Sequence, residues 1–205
     1  MTRPLDVLVI ESRSGAAGEA TRALESAGHH TVTCYRSRDR AAFPCRAVLD
    51  PADCPLDAGA DVALLVRARN ADPGPREQGA SCAIRAGVPL VEAGPSVLDP
   101  YEPYLARRVE SDVVAACEAT HAAELTALRQ HVLDLVRPVL AAAHVLIAEV
   151  TCRIEPLGRA LHVRFGIPGP VPPELRQVLA VRTLDALRDG RRHYDDVSVS
   201  VNREG

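Results

Sequence analysis

The sequence predicts an α/β fold, in which a small parallel sheet is followed by an α+β domain with a three-stranded sheet. Strand and helix patterns alternate over residues 1–94, which is typical of parallel strands joined by crossover helices. From residue 109 onward the order becomes helix, strand, strand, helix, strand. Three prolines within ten residues mark 95–108 as the expected linker between the domains 1–94 and 109–205.

The first half contains four expected strands and two expected helices. Asp6 to Ile10 is an apolar, β-branched run of the kind that forms a buried parallel strand. Ala16 to Ala27 carries apolar residues at helical spacing, and Gly28 is a typical stop after a helix. The other expected elements are strands at Thr31 to Tyr35, Val62 to Val66 and Val88 to Glu92, and a helix at Glu77 to Ala86.

The second half has the αββαβ order. A long helical pattern runs from Val109 to about Leu146, and Pro138 is expected to kink or split it. Apolar and polar residues then alternate over 149–155 and 161–165, which predicts a hairpin with one buried face. A helix at Glu174 to Arg188 and an alternating strand around 197–201 complete the three-stranded sheet.

Composition excludes several classes of function. The net charge is −3, so no overall field attracts nucleic acid. All 24 basic residues are arginine, which leaves no lysine for a Schiff base, a lysine general base or a P-loop. Neither the seven histidines nor the six cysteines show the spacing of metal ligands, so no metal is expected.

The same residues bear on location. The six cysteines are irregularly spaced, and the N-terminus has no signal-peptide pattern, so free thiols in a reducing cytoplasm are expected. The longest apolar stretch, 139–148, is far shorter than a bilayer-spanning helix. We therefore expect a cytoplasmic protein with no membrane partner.

The first 35 residues resemble the receiver domain of response regulators and, more loosely, any flavodoxin-like domain. The resemblance lies in Val7-Leu8-Val9-Ile10-Glu11-Ser12, in the helix 22–29 ending in Ala-Gly-His, and in Thr31-Val32-Thr33. It implies a flavodoxin-like parallel sheet. It also implies a magnesium site of two acids after the first strand, an aspartate that accepts phosphate after the third strand, and a later lysine.

Most of that chemistry is missing from this chain. Glu11 matches one acid of the receiver pair, but Ser12 replaces the other. Val66 or Arg67 stands where the aspartate would accept phosphate, and the chain has no lysine. The resemblance therefore implies a pseudo-receiver that does not transfer phosphate.

The second half resembles the alkaline-shock family of general-stress proteins. The matching parts are the long helix, the hairpin over 150–165, the helix from Glu174 and the closing strand 196–201. The cytoplasmic domains of cation-diffusion transporters share this order of elements. Both families use the module for self-association or docking, which implies the same role here.

One loop is a candidate ligand site. The stretch 12–18 follows the first strand and opens a helix, where backbone N–H groups and the helix dipole can hold a phosphate. An ordinary β–α turn is the other interpretation. Ligands of such sheets bind at the carboxyl ends of the strands. The candidate ligand-binding residues are therefore Glu11, Ser12, Ser14, Gly15, Arg67 and Glu92.

No catalytic residues are predicted. We expect a non-enzymatic regulatory or assembly protein of a bacterial cytoplasm, a stress-response or regulation module that binds a protein partner or forms a homodimer. This interpretation needs no cofactor and no nucleic acid. The alternative is a flavodoxin-like domain that binds a nucleotide or FMN phosphate at the first β–α loop, and an enzyme of unrecognised chemistry is a third possibility.

Overall fold

The computed structural model of the chain describes residues 3–35, 45–50, 53–68, 73–94, 98–188 and 194–204. The chain divides into two compact units, Met1–Ala122 and Ala123–Gly205. The first is built on a five-stranded parallel sheet and the second on a three-stranded mixed sheet, each with helices. This confirms the predicted fold class.

The first sheet has the strand order β2-β1-β3-β4-β5, with every neighbouring pair parallel. This is the flavodoxin-like order, and it brings the carboxyl ends of all five strands to one edge. The strands are β1 (Asp6–Glu11), β2 (His30–Thr33), β3 (Val62–Val66), β4 (Leu90–Ala93) and β5 (Leu105–Val109).

Two apolar layers cover the faces of this sheet. Val7 and Val9 of β1 belong to one buried cluster, whereas Leu8 and Ile10 belong to another. Because successive side chains of a strand point to opposite faces, the uninterrupted apolar run of β1 is what a sheet covered on both sides requires. The helices of this unit are α1 (Gly18–Ser26), α2 (Arg46–Leu49), α3 (Gln78–Arg85) and the first part of α4 (Val113–Ala142).

The structure corrects the predicted linker. Residues 105–109, placed in the linker 95–108 from the sequence, form the edge strand β5. The three central residues of this strand are exposed, so the sequence lacks the apolar alternation that identifies a strand. Helix α4 starts at Val113 rather than Val109, and the boundary between the two units falls after Ala122.

The irregular segment expected around 36–57 is only partly described. It contains the short helix α2, while 36–44 and 51–52 lie outside the described residues. Pro138 does not split the long helix, which continues to Ala142.

The second unit follows the predicted αββαβ order. Strands β6 (Thr151–Leu157) and β7 (Ala160–Pro168) form an antiparallel hairpin. Helix α5 (Pro173–Arg188) then crosses over, so that β8 (Asp196–Glu204) pairs parallel to β7 in the order β6-β7-β8.

One face of this sheet carries the core of the second unit. Leu161, Val163 and Phe165 alternate along β7 and are at most 1% exposed. They pack with buried residues of α4 and α5, including Val136 and Leu179. The other face is polar. In the described part of the chain, no helix combines the length and the apolar character needed to cross a bilayer.

Candidate functional site

Charged side chains gather at the carboxyl edge of the parallel sheet. Glu11 ends β1, Arg67 directly follows β3, Glu92 lies in β4 and Arg108 lies in β5. The strand register pairs Glu11 with Val66 and Glu92 with Arg108. Because neighbouring strands are parallel and in this register, they bring charges from distant parts of the sequence to one edge.

Arg67 is the centre of this group, and its side chain is fully buried. Its Nη2 lies 3.1 Å from Glu77 Oε2 and 3.4 Å from Asp99 Oδ1, and its Nε lies 3.2 Å from Glu92 Oε1. Its Nη1 donates a hydrogen bond of 2.8 Å to the carbonyl oxygen of Leu98. The guanidinium at the end of β3 is therefore surrounded by three carboxyl groups and a carbonyl.

Arg108 completes the group from the edge strand. Its Nε and Nη2 lie 3.4 Å and 3.2 Å from Glu92 Oε2, and Nη2 also donates to Asp99 Oδ2. Glu92 and Asp99 thus each contact both guanidinium groups. We call Arg67, Glu77, Glu92, Asp99 and Arg108 the carboxylate–arginine network.

The protonation of this network is shifted by its surroundings. Burial raises the pKa of Glu92 to about 7, with a further increase from the hydrogen bond and charge of Asp99 and an opposing effect of Arg67 and Arg108. Burial also raises the pKa of Glu77, against the attraction of Arg67. Burial acts in the same direction on Asp99, but hydrogen bonds from Glu92 and from the N–H of Tyr101, with the two arginines, lower the pKa of Asp99 overall.

The first β–α loop is organised by Glu11 and Ser12. Glu11 Oε2 accepts a hydrogen bond of 3.3 Å from the backbone N–H of Ala17, immediately before α1. Its Oε1 lies 3.4 Å from Arg76 Nη1. Ser12 Oγ accepts a hydrogen bond of 2.9 Å from the N–H of Ala68, which fastens the loop to the end of β3. The start of α1 is thus already in contact with an internal anion.

The predicted site residues therefore separate into a pair within the carboxylate–arginine network, Arg67 and Glu92, and a set at the first β–α loop, Glu11, Ser12, Ser14 and Gly15. Arg67 and Glu92 contact each other within the network. Glu11 pairs with Arg76. Ser14 and Gly15 are exposed in the loop, where Gly15 adopts a φ of +83°.

Several residues of the site were missed from the sequence. Asp99 and Arg108 lie in the stretch that the sequence predicts as the linker, and Glu77 is the first residue of the predicted helix at Glu77 to Ala86. A fifth strand could have been suspected from the flavodoxin-like order, because that order ends with a strand after the fourth β–α unit. Nothing in the sequence pattern points to Glu77.

The thiols form a second group in the first unit. Cys34 is close enough to Cys45, Cys82 and Cys54 for their charges to affect it, and all four are free and partly buried. Burial, followed by these neighbours, raises the pKa of Cys34 to about 12. A thiol with such a pKa is a poor nucleophile at neutral pH. Across the described ranges, no group of three or more His, Cys, Asp or Glu is arranged to hold a metal ion.

A groove of about 320 Å³ lies in the second unit. It is formed by one side of α4 and the edge strand β6, and its lining is Leu125, Thr126, Arg129, Cys152, Arg153, Ile154 and Glu155. It contains one carboxylate and two guanidinium groups among apolar side chains.

Comparison with known proteins finds no match to this chain among protein-family models, curated proteins or solved structures. The functional conclusion therefore depends on the chain's own geometry.

Proposed function

We propose that the chain is a non-enzymatic regulatory or assembly protein, in which the first unit is a pseudo-receiver and the second a module for self-association or docking. The observation that carries this proposal is the buried Arg67 at the end of β3, surrounded by Glu77, Glu92 and Asp99. A guanidinium is a permanent cation without a nucleophilic oxygen, so it cannot form an acyl phosphate.

The energetics of burial support a fixed role for this edge. Removing one partner of a buried ion pair typically costs about 3–5 kcal/mol, because the remaining charge is left uncompensated. A reaction at this edge would have to displace partners from Arg67 at a comparable cost. The charged groups at this edge are therefore better suited to stabilising the fold than to binding a substrate.

The second unit offers surfaces that suit association. Its sheet has two edge strands, β6 and β8, and unpaired strand edges are templates for pairing with another chain. Val178 and Val181, 43% and 50% exposed, lie three residues apart on α5, so they share one helix face. We propose this face as part of a homodimer contact, since closed symmetric dimers are the commonest soluble assemblies.

The nucleotide or FMN alternative receives less support. A phosphate at the first β–α loop would approach the N-terminus of α1, where the Glu11 carboxylate already accepts the Ala17 N–H. Two anions at one helix terminus repel each other. Ligand binding there would require Glu11 to move or to be protonated.

The test combines three measurements on the full chain. We expect a dimer by size-exclusion chromatography with light scattering, no phosphorylation by acetyl phosphate with Mg²⁺, and no change in Tm with FMN or ATP. Substituting both Val178 and Val181 by Asp is expected to give monomers, whereas Arg176→Asp, at an exposed position on a different face of α5, leaves the dimer intact.

Each measurement can contradict a different part of the proposal. A covalent acyl phosphate would overturn the pseudo-receiver. A rise in Tm of several degrees with FMN or ATP would favour the ligand-binding alternative, because a ligand that binds only the folded state stabilises it by mass action. A monomer at every concentration would exclude the homodimer.

A further inference from the structure

The carboxylate–arginine network has more acids than bases. It contains three carboxyl groups and two guanidinium groups, and the side chains of Glu77, Glu92 and Asp99 are 0%, 0% and 5% exposed. An uncompensated charge in such surroundings is costly, and a buried acid avoids the cost by keeping its proton. One proton on one carboxyl group makes the charges of the network balance.

The geometry shows where that proton belongs. Glu92 and Asp99 contact the same two guanidinium groups, Arg67 at 3.2 Å and 3.4 Å and Arg108 through its Nη2. When both carboxyl groups are ionised they repel each other between these guanidinium groups, and a proton on one of them removes that repulsion. Glu77, by contrast, contacts Arg67 alone within the network.

The network also connects two parts of the first unit. Arg67 and Glu92 belong to the central strands β3 and β4, whereas Asp99 and Arg108 belong to the segment 98–109, which ends in β5. Tyr101, Leu105 and Val109 of this segment pack against the apolar clusters but stay partly exposed, and the three residues inside β5 are exposed. The ion pairs and the β4–β5 ladder add to these contacts in holding the segment in place.

We propose that the Glu92–Asp99 pair is a proton-binding site, and that release of its proton loosens the segment 98–109 from the rest of the parallel sheet. In this step the O–H bond of Glu92 breaks and the proton passes to water. Two adjacent carboxylates are then left between Arg67 and Arg108. This proposal goes beyond the pseudo-receiver, because it gives the unit a response that needs no phosphate.

The direction of the pH response follows from the charges that face Glu92. Among the described residues these are Arg67 directly after β3, Arg108 from β5, Asp99 from the segment before β5, and Glu77, which shares Arg67. The pKa of Glu92 is raised from 4.5 to about 7 in the folded chain. A carboxyl group whose pKa rises on folding makes its full contribution to the free energy of unfolding below pH 4.5. For Glu92 that contribution is lost as the pH rises toward 7. The pKa of Asp99 is lowered in the folded chain, so the stabilisation that Asp99 contributes is lost only as the pH falls below its ordinary value of 3.8.

The first test is a titration of the wild-type chain labelled with ¹³C on the glutamate side chains. We expect the Glu92 carboxyl carbon to titrate near neutral pH.

The second test is native-state hydrogen exchange, which measures how readily the segment 98–109 opens once the rates are corrected for intrinsic chemical exchange. We expect the protection of the 105–109 amides to fall about tenfold or more between pH 5 and pH 8, since each unit of pKa difference is a factor of ten.

Glu92→Gln is the informative variant. Its amide can donate one hydrogen bond to Asp99, as the protonated acid does, but it does not titrate. We expect its 105–109 amides to have the same protection at pH 5 and pH 8. Glu102→Gln removes an exposed carboxylate from the same segment and should retain the wild-type pH response.

Two results would overturn the proposal. One is a Glu92 carboxyl carbon that titrates near pH 4.5, and the other is a Glu92→Gln chain with the wild-type pH response. If that variant does not fold, the carbon titration of the wild-type chain decides the question alone. Neither result would affect the proposed pseudo-receiver, which depends on Val66 or Arg67 standing where a receiver has its phosphate-accepting aspartate.

Discussion

At the scale of single residues, Arg67 has the largest consequences in the first unit. It directly follows the third strand, where the flavodoxin-like order places the groups that meet a ligand. Its side chain instead contacts Glu77, Glu92 and Asp99 inside the protein. The arginine at this position therefore makes internal contacts in place of contacts to a ligand.

Replacing Arg67 by Met tests that support. The substitution keeps much of the side-chain volume but leaves three buried carboxyl groups with one guanidinium. We expect a loss of about 3–5 kcal/mol in the free energy of unfolding, measured by urea denaturation at pH 7. Arg137→Met removes an exposed pair with Asp134 and is the matched control, with a much smaller loss expected. Equal losses in the two variants would show that the Arg67 pairs contribute no more than a surface contact.

The places of the network residues could be predicted from the sequence only in part. The position of Arg67 and Glu92 at the strand ends followed from apolar strand patterns, and the structure brings the two into contact. The partners Asp99 and Arg108 could not be predicted, because a strand with exposed, charged residues has no apolar signature. Glu77 joins the site only through tertiary packing, which local sequence does not encode.

At the scale of elements, Gly94 shows how closely two strand ends approach. It follows β4 with a φ of +100°, and a Cβ there would lie 2.4 Å from the carbonyl oxygen of Arg67. Left-handed backbone is disfavoured for residues with a Cβ, and backbone atoms at that distance cannot be accommodated without movement. The end of β4 therefore requires glycine.

Gly94→Ala is expected to destabilise the first unit by about 1–3 kcal/mol, from the backbone strain and the contact with Arg67. Thermal unfolding monitored by circular dichroism measures the loss. Gly18→Ala at the first residue of α1 is the control: a Cβ there meets nothing within 4 Å. That substitution should be neutral or slightly stabilising, since alanine restricts the unfolded chain. A Gly94→Ala chain as stable as wild type would mean that the strand end can relax.

The elements themselves were largely predictable. Seven of the eight strands in the described ranges coincide with runs of apolar or alternating residues, and β5 is the exception. The parallel arrangement of the first four strands followed from their alternation with helical patterns. The continuity of α4 through Pro138 did not follow, because tertiary packing can retain a helix that proline weakens locally.

At the scale of the whole molecule, the two units have separate apolar cores. The clusters around the five-stranded sheet contain only residues up to Cys117, whereas the cluster of the second unit contains only residues from Leu128 onward. The division predicted from the sequence placed the boundary earlier in the chain. It missed β5 and gave all of α4 to the second domain.

Two core substitutions test this division. Leu64→Ala and Phe165→Ala each remove a fully buried side chain, one from each core, at an expected cost of about 2–5 kcal/mol. Native-state hydrogen exchange should show faster opening only in the unit that carries the substitution. If both substitutions accelerate exchange equally throughout the chain, the two units unfold as a single cooperative body.

The position of Glu11 has a consequence for how such a fold acquires or loses ligands. A side-chain anion attached to the neighbouring strand competes with every dissolved anion for the same N–H group, and its effective concentration is set by the short connection between them. A free phosphate can bind this N–H group only if it outcompetes the tethered Glu11 carboxylate at its high effective concentration. Shortening this one side chain would remove the competitor, so a single substitution at residue 11 would make the N–H group of Ala17 available to a dissolved anion.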